Sequence, residues 1–382
     1  MTGVALCRQC VSQEGTSEEH VILSSIGGRV VVRGVLCTPC NGHFGETIDA
    51  VVAKQFEPIR MMLAIEGDRG QTASIRGRTD DGREVILGPG LQPRSAARAP
   101  ENVALDENGF SGTFHSLEAA RQYNESLQRK NFGRRNVVVT GASDNIEFLP
   151  PVNIDMQLGG ADFMRSSIKS VLTLLAKREL CVPSEILARA WRYVGGEPEE
   201  TTGVAMHLAT GPGPWAHEAL GRVSHRIAVR SCVARGLVEA DVRYFGEIGV
   251  VARIECAVEE AFAIAYGIDP ISGADASADD WSGAIEDPRS PTGDYFAALE
   301  VALNIVAVRA HERETELLLK RITEDALLQA LEVYPNREPP EFFSALVAGL
   351  VANEVRLIRS RRNQTRPAPG NIGRIQPKKR GR

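Results

Sequence analysis

The chain lacks any run of apolar residues long enough to cross a membrane. No stretch of its 382 residues approaches the ~18 consecutive apolar residues that a membrane span requires, so no membrane association is expected. The first residues do not show a basic segment followed by an apolar one, so no export signal is expected. The apolar fraction of 43% and the charged fraction of 24% are typical of a soluble globular protein, and we expect a cytoplasmic location.

Two further absences narrow the domain types. The sequence contains no internal repeat of fixed period and no glycine-rich phosphate-binding fingerprint. Because no such phosphate-binding fingerprint is present, no motif supports a ligand-sensing role for residues 70–355. At about 150 residues per domain, the length predicts two or three domains.

The formal net charge of −5 hides an uneven distribution. From Arg356 to Arg382 the chain has ten Lys or Arg residues and no Asp or Glu. The preceding 355 residues therefore carry a formal charge of about −15. A basic tail of this kind either contacts nucleic-acid phosphates or serves as a disordered, solubilising end, and composition favours the two equally.

The seven cysteines fall into two groups. Cys7-x-x-Cys10 and Cys37-x-x-Cys40 are two CxxC pairs separated by 26 residues. Four thiolates in two such pairs complete a tetrahedral zinc site, which predicts a closed, structural zinc. The other three cysteines stand singly in apolar surroundings and are expected to be reduced and buried: Cys181, Cys232 and Cys256.

Three further polar residues stand beside the CxxC pairs. Glu19 and His20 are adjacent, and Asn41 directly follows the last cysteine. A phosphodiesterase with one catalytic metal needs a neutral imidazole to take a proton from the attacking water. It also needs hard oxygen ligands for a divalent cation, and a carboxylate with an amide suits Mg²⁺ or Mn²⁺ better than Zn²⁺. On an extended strand, Glu19 and His20 would face opposite sides.

These residues resemble the HNH nucleases, also called ββα-metal or treble-clef endonucleases. The likeness is closest to a subgroup that joins Glu-His, Gly-Gly and Cys-x-x-Cys-Asn-x-x-Phe-Gly. Here the pattern reads Glu19-His20, Gly27-Gly28 and Cys37-Thr38-Pro39-Cys40-Asn41-Gly42-His43-Phe44-Gly45, followed by Ile48-Asp49. The resemblance covers about the first 66 residues.

The resemblance implies a role for each of these residues. His20 would be the general base, and Glu19 and Asn41 would hold the catalytic Mg²⁺ or Mn²⁺. The structural zinc would be held by Cys7, Cys10, Cys37 and Cys40. Two positions depart from the family pattern: Leu23 stands where proline is usual, and residues 30–36 contain no counterpart of a second Asn or His.

Several of these residues also have a non-catalytic interpretation. Four cysteines in CxxC pairs occur in zinc ribbons too, but a ribbon alone leaves Glu19-His20 unexplained. His43 is either a further participant in the metal site or a helix-surface residue, and Asp49 either orients the site or is a solvated carboxylate. Arg60 and Arg69 are either phosphate ligands or surface charges. The other histidines show no ligand spacing and stay unassigned: His115, His207, His217, His225 and His311.

The sequence predicts an α+β fold in four segments. Residues 1–66 form the zinc-bound ββα (treble-clef) nuclease module, with a hairpin over 21–36 and a helix from Thr38. Residues 67–150 form a strand-rich connecting region. Residues 151–360 form an α+β accessory domain for recognition or regulation, and 361–382 form a disordered basic tail.

Periodicity predicts the elements after the nuclease module. An Asp-Gly turn at Asp81-Gly82 predicts a hairpin. Three alternating segments between 225 and 256 predict an antiparallel meander, and the acidic stretch 268–294 is expected to be a loop or surface insertion. A strand is predicted over 135–140, and helices over 117–130, 163–177, 185–193, 295–331 and 342–359.

The leading hypothesis is a metal-dependent endonuclease that hydrolyses DNA. The region after residue 70 would recognise substrate, form a homo-oligomer or restrain the nuclease, and a role in defence against foreign DNA follows by analogy. The rival hypothesis is a zinc-dependent module that binds nucleic acid or protein without cutting. Residues 1–66 hold five Lys or Arg against seven Asp or Glu, which does not favour phosphate binding.

The basic tail gives the first testable prediction. Truncation after Val355 removes ten basic residues, and we expect weaker DNA binding with a flatter dependence of log Kd on log salt, because fewer counterions are released. The measurement is fluorescence anisotropy of labelled DNA over a salt series. An unchanged salt slope would reduce the tail to a solubility feature.

Overall fold

The computed structural model describes most of the chain between residues 6 and 350. The described residues are 6–65, 74–82, 84–91, 93–94, 101–105, 110–113, 122–123, 125–126, 152–154, 156–178, 184–255, 258–286, 295–333 and 343–350. The chain groups into two compact units, one formed by 1–73 with 156–323 and the other by 74–155 with 324–382. No helix among the described residues is long and apolar enough to span a membrane. The four predicted segment boundaries stay a prediction.

The first unit begins with a short hairpin followed by helices, as predicted for a ββα module. Strand β1 (Glu18–His20) pairs antiparallel with β2 (Val31–Arg33), with Glu19 opposite Val32. Helices α1 (Thr38–Glu46), α2 (Ile48–Gln55) and α3 (Glu57–Met62) follow. The predicted helix start at Thr38 is confirmed. The first strand lies earlier than the predicted hairpin and therefore contains both Glu19 and His20.

Residues 21–28 connect β1 and β2 through a buried turn. Val21, Ile22 and Ile26 are almost completely enclosed, so these apolar residues belong to the core rather than to a longer strand. The chain reverses at Gly27, whose φ of 100° lies in the left-handed region that favours glycine. At Gly28 a Cβ atom would lie 1.8 Å from the carbonyl oxygen of Ile22. The Gly27-Gly28 pair is thus required by the geometry of the turn.

Helix α4 (Ala161–Lys177) is the central element of the first unit. It packs against α2, against the β1–β2 hairpin and against the large sheet, which leaves most of its residues buried. The predicted helix over 163–177 is confirmed, and it begins at Ala161. Its buried polar residues are Ser166, Ser167, Lys169, Ser170 and Thr173. A helix enclosed in this way requires a partner for each buried polar group.

The large sheet contains six antiparallel strands. They are β9 (Val204–Thr210), β10 (His225–Cys232), β11 (Leu237–Tyr244), β12 (Ile248–Glu255), β13 (Ala263–Ile268) and β14 (Asp275–Ala278). Their order is β14-β13-β10-β11-β12-β9. The predicted meander is confirmed as β10, β11 and β12. The predicted loop over 268–294 is wrong for 275–278, because β14 pairs with β13 there.

The N-terminal module and the large sheet share one aromatic cluster. The cluster contains Phe56 at the end of α2, Phe163 of α4, Tyr244 at the end of β11 and Phe245 directly after it. Contacting rings have centroids 5.1–5.6 Å apart. All four side chains are fully enclosed. Rings of this size contribute much of the apolar area of a core, so the module is part of the first unit's core and not an appendage.

The second unit contains two small sheets. Strands β3 (Ile75–Thr79), β4 (Glu84–Leu87), β5 (Pro93–Arg94) and β8 (Val152–Asn153) have the order β5-β4-β3-β8, and β6 (Glu101–Leu105) pairs with β7 (Phe110–Thr113). The predicted Asp-Gly turn is confirmed, with a φ of 86° at Gly82. The predicted strand over 135–140 and the tail from residue 351 lie outside the described residues.

Three of the remaining helical segments agree with predicted helices: α5 (Ser184–Val194), α7 (Tyr295–Val333) and a segment over 343–350. The short helix α6 (Glu199–Thr202) was not predicted. Within the predicted helix over 117–130, the described residues 122–123 and 125–126 are helical. Pro335, Pro339 and Pro340, which the sequence places between α7 and the last segment, lie outside the described residues.

His225 links the turn of the N-terminal hairpin to the large sheet. Its Nε2 lies 2.8 Å from the carbonyl oxygen of Ile26, and its Nδ1 accepts the backbone N–H of Phe245 at 3.2 Å. One ring nitrogen therefore donates and the other accepts, which requires the neutral imidazole. Burial lowers the pKa of His225 to about 4.

This lowered pKa predicts a pH dependence of stability. The unfolded chain has a histidine pKa of about 6.5, so the contribution of neutral His225 is complete above that pH and is lost as the pH falls toward 4. Between pH 7 and pH 5 we expect it to remove about 2 kcal/mol from the free energy of unfolding. The measurement is urea unfolding of the parent and of His225→Gln, which should lack this component. His217→Gln, at an exposed site, should keep it, and equal pH profiles for all three proteins would contradict the prediction.

Candidate metal centre and nuclease site

Among the described residues, one group of His, Cys, Asp and Glu side chains has the spacing of a metal site. This group consists of four cysteine thiols. The sulfur atoms of Cys7, Cys10, Cys37 and Cys40 all lie within 4.8 Å of one another, and none forms a disulfide. The Sγ atoms of Cys10 and Cys37 are 3.8 Å apart. Sulfurs held at about 2.3 Å around a tetrahedral zinc lie about 3.8 Å from each other. The donor set thus fits the predicted structural zinc.

Local backbone contacts place the four thiols. The N–H of Cys7 donates to Gln13 and the N–H of Val11 donates to Cys7, which folds the first CxxC pair into a tight knuckle. Cys37 is the residue before helix α1, and Cys40 lies in its first turn. The N–H of Arg8 donates to the carbonyl of Val35 at 2.8 Å. This bond joins the knuckle to the segment that enters α1.

Strand β1 presents its three residues in alternation. The side chain of Glu18 is exposed, that of Glu19 is buried and that of His20 is partly buried. Glu19 and His20 therefore differ in burial as expected for neighbours on a strand. Glu18 pairs with Arg33 on β2, whose Nε donates at 2.9 Å, and this hydrogen bond lowers the pKa of Glu18.

Asn41 connects helix α1 to strand β1. Its Nδ2 donates to the carbonyl oxygen of Glu18 at 2.9 Å. Because Asn41 follows Cys40 directly, the residue that closes the thiol cluster also positions this amide. The contact brings Asn41 beside the strand that carries Glu19 and His20.

Glu19 makes its main contact with a residue that the sequence did not single out. Its carboxylate accepts a hydrogen bond from the ammonium group of Lys169, which lies on α4 150 positions later. The same Lys169 Nζ lies 2.7 Å from Oδ2 of Asp49. Asp49 also accepts a hydrogen bond from Ser166 at 2.8 Å. Lys169, Glu19 and Asp49, which we call the buried triad, thus join β1, α2 and α4.

The groups of the buried triad affect each other's pKa values. Burial raises the pKa of Glu19, and the ammonium of Lys169 opposes that shift. The negative charges of Asp49 and Glu19 outweigh the burial of Lys169 and raise the pKa of its ammonium group. Lys169 therefore stays protonated with two carboxylates against it. An unpaired charge at such a buried position would be strongly destabilising.

Glu19 and Asn41, which the resemblance assigns to a catalytic metal, do not form a solvent-accessible metal site in this structure. Glu19 and Asn41 offer oxygen atoms suited to Mg²⁺ or Mn²⁺. The Glu19 residue is only 3% exposed, however, and its carboxylate is held by an ammonium group. The predicted ligand roles of Glu19 and Asn41 stay predictions.

Other residues from the sequence analysis have identifiable surroundings. His43 is exposed on α1, and Arg60 donates to the carbonyl of Ser25 at 2.6 Å. Cys232 is a partly buried free thiol rather than a fully buried one. Arg69, His115, Cys181 and Cys256 lie outside the described residues. The sequence analysis did not identify Lys169 as part of the site, because this residue belongs to no motif and its partners lie far away in the sequence.

Loss of one thiol tests the zinc assignment. We expect one zinc ion per chain in the parent and none in Cys37→Ser, because Cys37 is buried among the other three thiols and three remaining ligands leave the tetrahedron open. Zinc content is measured by plasma mass spectrometry. Cys232→Ser is the matched control and should keep its zinc. One zinc per chain retained in Cys37→Ser would contradict the assignment.

The comparisons with known proteins agree with the geometry of this module. Residues 5–57 match a family model described as HNH endonuclease. No curated protein matches the chain, and no solved structure matches it. The matched span contains the four thiols, strand β1 and Asn41, so residues 5–57 form a domain that is similar to the HNH endonuclease family.

Proposed function

We propose that this protein is an endonuclease that hydrolyses phosphodiester bonds of DNA with His20 as the general base. The observation that carries the proposal is the position of His20, partly exposed on a strand that the thiol cluster, β2 and Asn41 hold in place. An imidazole has an ordinary pKa of about 6.5, so much of it is neutral and able to accept a proton near pH 7.

The proposed reaction is attack of a water on the phosphorus. His20 takes a proton from the water as the water oxygen forms a bond to phosphorus. The bond to the 3′ oxygen breaks, and this leaving oxygen keeps the electron pair and takes a proton from solvent. General-base catalysis of this kind requires an imidazole held in one orientation. The strand that carries His20 is held by the bond from the N–H of Val21 to Val30, and by the bond from Ser17 Oγ to Leu36 at 2.7 Å.

Glu19 and Asn41 are the proposed ligands of a catalytic Mg²⁺ or Mn²⁺. The support for this assignment is their agreement with the family pattern and the chemistry of their oxygen atoms. Because Glu19 is enclosed with Lys169 in this structure, the proposed proton transfer involves only His20 and the attacking water.

The accessory region is proposed to recognise substrate, to form a homo-oligomer or to restrain the nuclease. Restraint has a physical basis, because helix α4 of this region contacts the hairpin that carries His20. The basic tail is a proposed DNA contact. Defence against foreign DNA and a cytoplasmic location are proposed by analogy with the expected activity.

A second candidate function is binding without cleavage. The observation that favours it is the pairing of Glu19 with Lys169, which removes a predicted metal ligand from solvent. A protein of this kind would retain DNA in the presence of EDTA and would never produce nicked DNA. Divalent-metal dependence therefore separates the two functions.

Replacement of His20 tests the proposed reaction. We expect zinc-loaded parent protein to nick supercoiled plasmid in Mg²⁺ or Mn²⁺, and His20→Ala to lose at least about a hundredfold, as expected when a general base is removed. Rates are measured by gel electrophoresis, with equal zinc content as the criterion of folding. His217→Ala, at an exposed position outside the module, should retain the parent rate. Equal nicking by His20→Ala and parent would remove His20 from the mechanism.

A further inference from the structure

The buried triad places a fixed positive charge at the carboxylate that the family pattern assigns to the catalytic metal. Lys169 Nζ donates to Glu19 and lies 2.7 Å from Asp49. The side chain of Lys169 is 1% exposed and that of Glu19 is 4% exposed. An ammonium and a divalent cation compete for the same oxygen atoms, since each is attracted by the same two negative charges. Glu19 thus cannot be a metal ligand while Lys169 occupies this position.

Helix α4 holds Lys169 in this position through several independent contacts. Ser166, on the same helix, donates to the carboxylate of Asp49. Just before the helix, Gly159 exchanges two hydrogen bonds with the side-chain amide of Gln55, at 2.8 and 3.1 Å. Phe163 packs against Phe56 at the end of α2. The lysine is therefore delivered by a helix that is docked on the nuclease module over several turns.

The charge of the triad favours a cation at this place in the structure. Glu19 and Asp49 together carry two negative charges against the single positive charge of Lys169. If the ammonium leaves, the buried carboxylate of Glu19 and the partly buried carboxylate of Asp49 remain beside each other and require another cation or protons. The place is thus selective for positive charge, and Lys169 is the cation that the chain itself supplies.

We propose that Lys169 is an internal cation that blocks metal binding at Glu19, so that the nuclease becomes able to bind its divalent metal at this carboxylate only when the ammonium group of Lys169 leaves it. This inference rests on the proposed role of Glu19 as a metal ligand. It assigns α4 a regulatory contact with the site. The measured metal affinity of the parent is then the affinity of the open site multiplied by the fraction of molecules in which the site is open.

The alternative is that the triad is only a structural ion pair. In that case the metal site lies elsewhere on the module, and Lys169 affects stability without affecting metal binding. The two cases differ in whether removal of Lys169 creates a metal site that depends on Glu19. Metal binding, and not activity alone, therefore decides between them.

The experiment measures Mn²⁺ binding to full-length, zinc-loaded protein by electron paramagnetic resonance of the free ion. We expect Lys169→Ala to bind Mn²⁺ at least about tenfold more tightly than the parent, as expected if at least about nine-tenths of the parent is closed. The gain should disappear in the double variant Lys169→Ala/Glu19→Gln. Lys169→Arg keeps the charge and should behave as the parent, as should Lys177→Ala at an exposed position of the same helix.

Two results would overturn the proposal. One is that Lys169→Ala binds Mn²⁺ no more tightly than the parent does. The other is that the gain in affinity persists without the Glu19 carboxylate. If Lys169→Ala does not fold, the variant Lys169→Ala/Asp49→Asn removes one of the two carboxylate charges that the ammonium group had compensated. It is measured in the same way, against Asp49→Asn alone.

A nicking assay on the same proteins separates this proposal from the proposed function. In one outcome, Lys169→Ala gains Mn²⁺ binding that depends on Glu19 but does not cleave DNA. This outcome would support the block by Lys169 and contradict the nuclease reaction. Equal Mn²⁺ affinity and equal, His20-dependent nicking by parent and Lys169→Ala would support the nuclease reaction and contradict the block.

Discussion

The four thiols of Cys7, Cys10, Cys37 and Cys40 are the constraint on which the N-terminal module depends. Each element that they join is short: β1 and β2 have three residues each, and α1 has nine. Elements of this length are not stable in isolation. A zinc ion at the centre of the four sulfurs would tie the knuckle to the start of α1 and so fix Asn41 against β1. The orientation of His20 thus depends on a cluster that takes no part in the proposed chemistry.

Helix α4 connects the N-terminal module to the rest of the first unit. It packs against the module and against the large sheet, and therefore its polar residues must find partners inside the protein. Lys169 pairs with two carboxylates of the module, and Ser167 lies within hydrogen-bond distance of the hydroxyl of Tyr244 at 3.2 Å. The same helix that completes the core also neutralises Glu19. Stability and the accessibility of the proposed site are consequently linked through one element.

Burial of paired charges recurs in the large sheet. On β11, Glu239, Asp241 and Arg243 alternate with apolar residues, yet all three are at most 4% exposed. Asp241 pairs with Arg243, and Glu239 pairs with arginines of neighbouring strands, among them Arg230 at 2.8 Å. Alternation alone is typical of a sheet with one face in solvent. Here the segments that contain Trp215 and Trp281 pack on the polar face, so tertiary contacts decide its burial.

The sequence by itself determined the local features of this protein. The CxxC spacing predicted the thiol cluster, the Glu-His and Cys-Asn positions predicted the nuclease module, and apolar periodicity predicted α4 and the β10–β12 meander. These predictions succeeded because ligand spacing and periodicity are properties of neighbouring residues. Only the tertiary structure decided that Lys169 meets Glu19 and Asp49, that β14 extends the sheet, and that the charges of β11 are buried. Each of these depends on contacts between distant segments, and the packing that brings those segments together leaves no periodic trace in the chain.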